Sequence, residues 1–313
     1  MSPFQRNSGN LECIPQGKRS LTMTTLSITS GQVKQYKRFV EDAGDKALTE
    51  VNLDKDGLQK LFANGDVFQA DIVASIQRLS VSNQFANEEV GSSYGYLSGY
   101  KPKGITEQTN RLRQLISGVG FADEKLAEQP LPANAEGWFA ITRWQKIAQT
   151  YGEALQKVLD LIKQTRDGKF YNYREGKLGP QYLRQHQKNV KAFDKLGNEQ
   201  KDYDILVVAC QFGKLHAGKS VRRARKVMSS YQFGLDPFAV ACMLLTHPER
   251  LQHYDDLWID CAGAEFSDGG DGQFGLAPFF KFDDGKIRFG ARWISNADGS
   301  YGSASAFLPQ SDS

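Results

Sequence analysis

"DILVVACQFGKLHAGKSVRRARKV", residues 204–227, runs from an apolar segment through a glycine-flanked loop into a row of cations. Residues 204–212 are short, apolar and rich in β-branched side chains, which predicts a buried strand. After Ser220 the period changes. On a helical projection Val221, Ala224, Val227 and Met228 fall on one side, and Arg222, Arg223, Arg225 and Lys226 fall on the other. Strand, loop and amphipathic helix thus follow one another.

Between them, Gly213, four residues and then Gly218-Lys219-Ser220 spell a phosphate-cradling loop. In that reading backbone N–H groups wrap the phosphates, Lys219 reaches the terminal ones and Ser220 holds magnesium. Three features oppose a nucleotide hydrolase. Four adjacent cations resist packing of the helix against a sheet. The residues after 220 do not alternate strands and helices. The magnesium-side carboxylate would be Asp260 in "LWID", behind only three apolar residues. A milder reading keeps the anion and drops the hydrolysis. Lys214, His216, Gly218, Lys219, Ser220, Arg222, Arg223, Arg225 and Lys226 would then grip a phosphate-rich partner, nucleic acid above all.

Charge distribution supports that reading. The net charge is +3, yet residues 163–195 and 213–227 carry +6 each, so the remainder sums to −9. In the first of these stretches Tyr171, Tyr173, Arg174 and Arg184 interleave rings with cations, as single-stranded nucleic acid requires. Further on, "EFSDGGDG" places Glu265, Asp268 and Asp271 after Asp260, oxygen donors suited to magnesium or calcium, without EF-hand spacing. Paired carboxylates there admit metal-dependent phosphodiester hydrolysis as an alternative, and a structural or protein-interaction module is a third.

Outward from the loop, period-3.6 patterns predict helices at 30–41 (capped by Ser30), 56–63, 67–79, 107–116, 143–164 and 180–197. Residues 91–104 read as a loop, and 128–137 as a Pro-punctuated connection. "FFKFDDGKIRFGARW", residues 279–293, alternates on both sides of Asp284-Gly285, which predicts a type I′ hairpin, and "SASAFL" a last strand. The class is α+β, with a helical N-terminal half and a mixed C-terminal part whose sheet contains the hairpin. Residues 1–25 read as a disordered leader with Met23 as a second candidate start. Residues 26–130 read as a helical region and 131–313 as an α+β region, the two able to form one domain.

A composition 40% hydrophobic and 24% charged supplies a core, no segment is long enough to span a membrane, and four dispersed cysteines suggest reduced thiols, hence a cytoplasmic protein. At "EGWFAITRW", "YNYREGKLGPQYLR", "THPERLQHYDDLWIDCAG" and "YGSASAFLPQ" the chain resembles a family of uncharacterised bacterial proteins, over about residues 60–310. The resemblance implies no activity, fold or ligand, and leaves the oligomeric state open.

Overall fold

The computed structural model describes residues 29–51, 53–79 and 83–309, so the expected leader lies outside them. The described residues form two compact units, divided between Phe68 and Gln69.

In the first unit, α1 (Ser30–Val51) is longer than its expected 30–41. Its cap is Thr29 rather than Ser30. The Thr29 hydroxyl accepts from Gln32 N at 3.3 Å, and the Gln32 side chain accepts from Thr29 N at 2.9 Å, a reciprocal box. The extension follows from Ala43, Ala47 and Leu48, strong helix formers with no proline among them. Next come α2 (Lys55–Ala63), capped by Asp54, and α3 (Gly65–Leu79), which crosses the division between units.

The second unit is α+β, as the sequence implies. It contains α4 (Ile105–Leu115), β1 (Gly137–Thr142), α5 (Tyr151–Thr165), β2 (Phe170–Asn172), β3 (Leu183–Gln185), α6 (Gln187–Glu199) and β4 (Ile205–Gln211). Then follow α7 (Val221–Val227), β5 (Gln232–Gly234), α8 (Pro237–Thr246), β6 (Trp258–Asp260), β7 (Ala264–Phe266), β8 (Leu276–Asp283), β9 (Lys286–Trp293), β10 (Tyr301–Ser303) and β11 (Ser305–Phe307). Among the described residues no helix is long and apolar enough to cross a membrane.

The core is organised by α8. Every one of its residues is buried, from Pro237 to Thr246, as a helix apolar on all sides must be. Asp236 caps it by accepting from Ala239 N at 2.9 Å, and Pro237 takes the first turn, where a missing N–H costs nothing. Around it pack α4, β1 and α5, the last contributing Leu155, Val158, Leu159 and Ile162. α5 begins at 151 rather than 143 because Thr150 and Glu153 form its capping box, while Trp144–Lys146 make only a 3-10 turn. Similarly, the helix expected over 180–197 starts at 187. Leu183 is buried and pairs with Phe266, so tertiary pairing turns those residues into strand, and His186 caps the helix instead.

Two sheets flank this core. One has the order β1-β4-β11-β5, antiparallel throughout, with β4 buried along its whole length. The other runs β10-β6-β8-β7-β3, with β9 on β8 and β2 on β9. The 279–293 hairpin forms as expected. Asp284 (φ 51°) and Gly285 (φ 69°) take the positive angles of a type I′ turn. Residues 301–307 belong to both sheets. Tyr301–Ser303 pair with β6, Ala304 turns the corner, and Ser305–Phe307 lie between β4 and β5.

Candidate functional site

The loop at 213–220 links β4 to α7, with Ser220 capping the helix by accepting from Arg223 N at 3.1 Å. Its backbone donors are all engaged within the chain. Gln211 Oε1 accepts from Gly213 N and Leu215 N, and the Tyr96 hydroxyl accepts from Lys214 N. His216 N, Ala217 N and Lys219 N donate within the loop, Gly218 N to Tyr301 O, and Ser220 N to Glu88 O at 3.0 Å. A cradle needs those N–H groups unspent. They serve here to weave the loop against the segment at 88–91 and β10.

The two glycines answer to that crossing. Gly218 has φ 76°, and a Cβ there would lie 2.1 Å from Val90 O. At Gly213, φ is 126° and a Cβ would lie 2.6 Å from Gly302 O. Both obstacles are backbone. Gly218→Ala is therefore expected to cost about 3 kcal/mol, from the left-handed conformation and the displaced Val90–Gly91 backbone together, measurable by urea unfolding. A loss under half a kilocalorie would show that the crossing yields.

The cations are brought together and then spent. Arg222 makes a bidentate pair with Glu88, which also accepts from Ser220 Oγ at 2.6 Å, and the Arg222 guanidinium holds the Glu88 carboxyl below its ordinary value. Arg223, only 8% exposed, pairs with Glu89, and Lys219 approaches the same carboxylate at 3.8 Å. Arg225 donates to Ala262 O and Ala264 O at 2.8 Å each and lies 3.6 Å from Glu265, with burial lowering it to about 10. Only Lys214 and Lys226 of the nine predicted residues are exposed cations. The buried His216 takes a bond at Nε2 from Gln232 at 2.9 Å, and burial pushes it down to about 3. Adjacent carboxylates in "ANEEV", residues 86–90, were the missed signal. Two neighbouring acids in a glycine-poor turn are what a row of arginines needs in order to be buried.

The other predicted clusters disperse as well. Arg174 pairs with Asp268 at 2.6 Å, and Arg184 with Glu265 at 2.8 Å. Tyr171 and Tyr173 stay exposed and meet edge to face, centroids 4.8 Å apart. Asp260 is fully buried, 3.2 Å from Arg292 rather than held by α7, and burial raises its carboxyl to about 6. Asp271 is occupied by Ser267 Oγ and Gln273 N. Among the described residues no group of three or more metal-ligating side chains could hold a metal ion.

Behind the loop lies a cluster the sequence reading did not single out. Arg250 is fully buried. Its guanidinium lies 3.8 Å from the Tyr96 ring centroid and donates to Leu257 O at 2.8 Å. Tyr96 donates to Glu136 at 2.6 Å, and burial raises the Glu136 carboxyl against the opposing pull of Tyr96 and Arg250.

A cavity of about 400 Å³ opens where β1 ends, β4 begins, and α6 and α8 meet. Its walls include Trp144, Phe193 and Phe238, with Asp194 among the exposed residues of α6 and Asp236 and Thr142 buried. Asp236 accepts from Ala239 N and from Gln185 at 2.7 Å, and burial raises its carboxyl. The Thr142 hydroxyl sits beside the Cys242 thiol and has no other partner. Arg143 also lines the cavity but is committed elsewhere, donating to Tyr203, Gly197 and Gln200 carbonyls at 2.6–2.7 Å. Those last two belong to the C-terminal end of α6, where a cation complements the helix dipole. Comparison with family models, with curated proteins and with solved structures returns no match.

Proposed function

We propose that this protein is a binding module for a small organic ligand with an amine or other cationic head and an apolar body, seated in the cavity at the end of the four-stranded sheet. The observation that carries the reading is the combination of Trp144, Phe193 and Phe238 with the exposed Asp194 carboxyl around one concave space of about 400 Å³. That volume falls within the range of small-molecule sites. Trp144, Phe193 and Phe238 line the space with aromatic surface suited to a cation or an alkyl chain, and Asp194 supplies an acceptor.

Thermal-shift titration with benzylamine and choline tests it against matched carboxylates and against single-stranded DNA at two salt concentrations. The amines are expected to stabilise by about 2.7 kcal/mol at a hundredfold excess over Kd. Phe193→Ala and Asp194→Asn, both away from the helix cap, are expected to weaken binding about tenfold, roughly 1.4 kcal/mol each. No amine response, or one indifferent to both variants, overturns the proposal. The polyanion reading rests on the exposed Lys214 and Lys226. Salt-sensitive stabilisation by DNA, lost in Lys214→Ala with Lys226→Ala, would put it back in first place.

A further inference from the structure

None of the residues of α1 is buried, although the helix carries a continuous apolar stripe. Val33, Tyr36, Val40, Ala43 and Ala47 follow one another at spacings of 3 and 4, and Val51 prolongs the row. Spacings of 3 and 4 are those of a coiled-coil seam. Phe39 and Leu48 flank it, and Phe39 is 71% exposed. Helices in water draw most of their stability from packing an amphipathic face, and a helix of 22 residues, about 33 Å long, has much to gain by it.

Charge says what fits that face. Residues 30–40 carry Lys34, Lys37 and Arg38 and no acid. Residues 41–51 carry Glu41, Asp42, Asp45 and Glu50 against Lys46 alone. The halves are therefore +3 and −3. The ion pairs within the helix, Arg38–Asp42 at 3.9 Å and Lys46–Glu50 at 3.5 Å, are exposed and contribute little. Two parallel copies would set like halves together. Two antiparallel copies set each basic half beside an acidic one, with Ala43, Gly44 and Ala47 near the middle, where small side chains let the backbones approach.

We propose that two copies of this chain associate through α1, paired antiparallel along the Val33–Val51 stripe. Sedimentation equilibrium of the full chain is expected to show a concentration-dependent dimer, weakened at least tenfold by Val40→Asp. Because Val40→Asp also lowers helicity, a charge test accompanies it. Lys34→Glu with Lys37→Glu and Arg38→Glu is expected to weaken self-association. Mixing that variant with Glu41→Lys, Asp42→Lys and Asp45→Lys is expected to restore it as a heterodimer. Orientation is read by disulfide trapping in a Cys13→Ser background. Ala43→Cys is expected to cross-link to its own copy, and Val33→Cys to cross-link only with Val51→Cys. A chain that stays monomeric, a dimer indifferent to all these changes, or self-cross-linking through Val33→Cys overturns the proposal.

Discussion

Arg250→Ala is expected to lower the stability of the unit at 69–313 by about 4 kcal/mol, the largest loss of any single substitution considered. Among the described residues its side chain is the largest fully buried one, and none of their carboxylates lies within ion-pair distance of it. The charge is held by the faces of Tyr96 and Phe212 and by the Leu257 carbonyl. Truncation opens a hole beneath those rings, strands that carbonyl, and leaves Glu136 without the nearby positive charge that offsets its burial. For a unit of this size the loss corresponds to a fall in Tm of roughly 10 °C. Arg250→Met fills most of the volume without the donors, so it separates packing from charge, and about half the loss is expected. If both variants unfold within half a kilocalorie of the parent, the guanidinium is not a keystone.

Acid is expected to be as damaging as that truncation, through two buried imidazoles. Burial pushes His216 to about 3 and His247 to about 4, against an ordinary 6.5. Lys219 reinforces the first shift. For the second, Lys103 acts the same way, and Glu249 and the Met243 carbonyl act against it. The folded values lie below the unfolded one. Both residues are therefore neutral in either state above pH 6.5, and as the pH falls only the unfolded chain takes up protons. Stability is lost from pH 6.5 downward, by about 2 kcal/mol per histidine at pH 5. The raised carboxyls of Asp260, Asp236 and Glu136 work in the opposite sense, gaining stability as they protonate. The measurement is therefore a difference. His216→Gln with His247→Gln should flatten the fall between pH 7.5 and pH 5 by about 4 kcal/mol, and parallel curves for parent and variant would refute the assignment.

Both predictions turn on residues whose environment no local pattern announced. What the sequence displays well is anything settled within a few neighbours. The type I′ turn at Asp284-Gly285, the β-branched run of β4 and the amphipathic α7 all follow from period and turn chemistry. Where distant pairing decides, local pattern misleads. Residues 183–185 carry a helical rhythm, yet Leu183 is claimed by β7 and becomes strand. The site suffered most from this. Arg222, Arg223 and Arg225 lie on one side of a projection, and in isolation that side faces water. Glu88 and Glu89 stand more than 130 residues earlier, and Glu265 comes from another sheet, so their meeting is a property of the fold. The cavity was illegible for the same reason, since its aromatic and acidic walls come from the turn after β1, from α6 and from the start of α8. Asp236 caps α8, but nothing in the Asp236-Pro237 dipeptide says what space its carboxyl overlooks.

The stretch from Tyr301 to Phe307 follows in sequence every strand it pairs with. During synthesis the four-stranded sheet has a gap between β4 and β5 until this stretch leaves the ribosome, and β6 lacks a neighbour for equally long. The two roles differ, because β11 fills the middle of the four-stranded sheet whereas β10 only extends the edge of the other beyond β6, which β8 already holds. A nascent chain halted short of Tyr301 would therefore expose the facing edges of β4 and β5 to the cell's quality control.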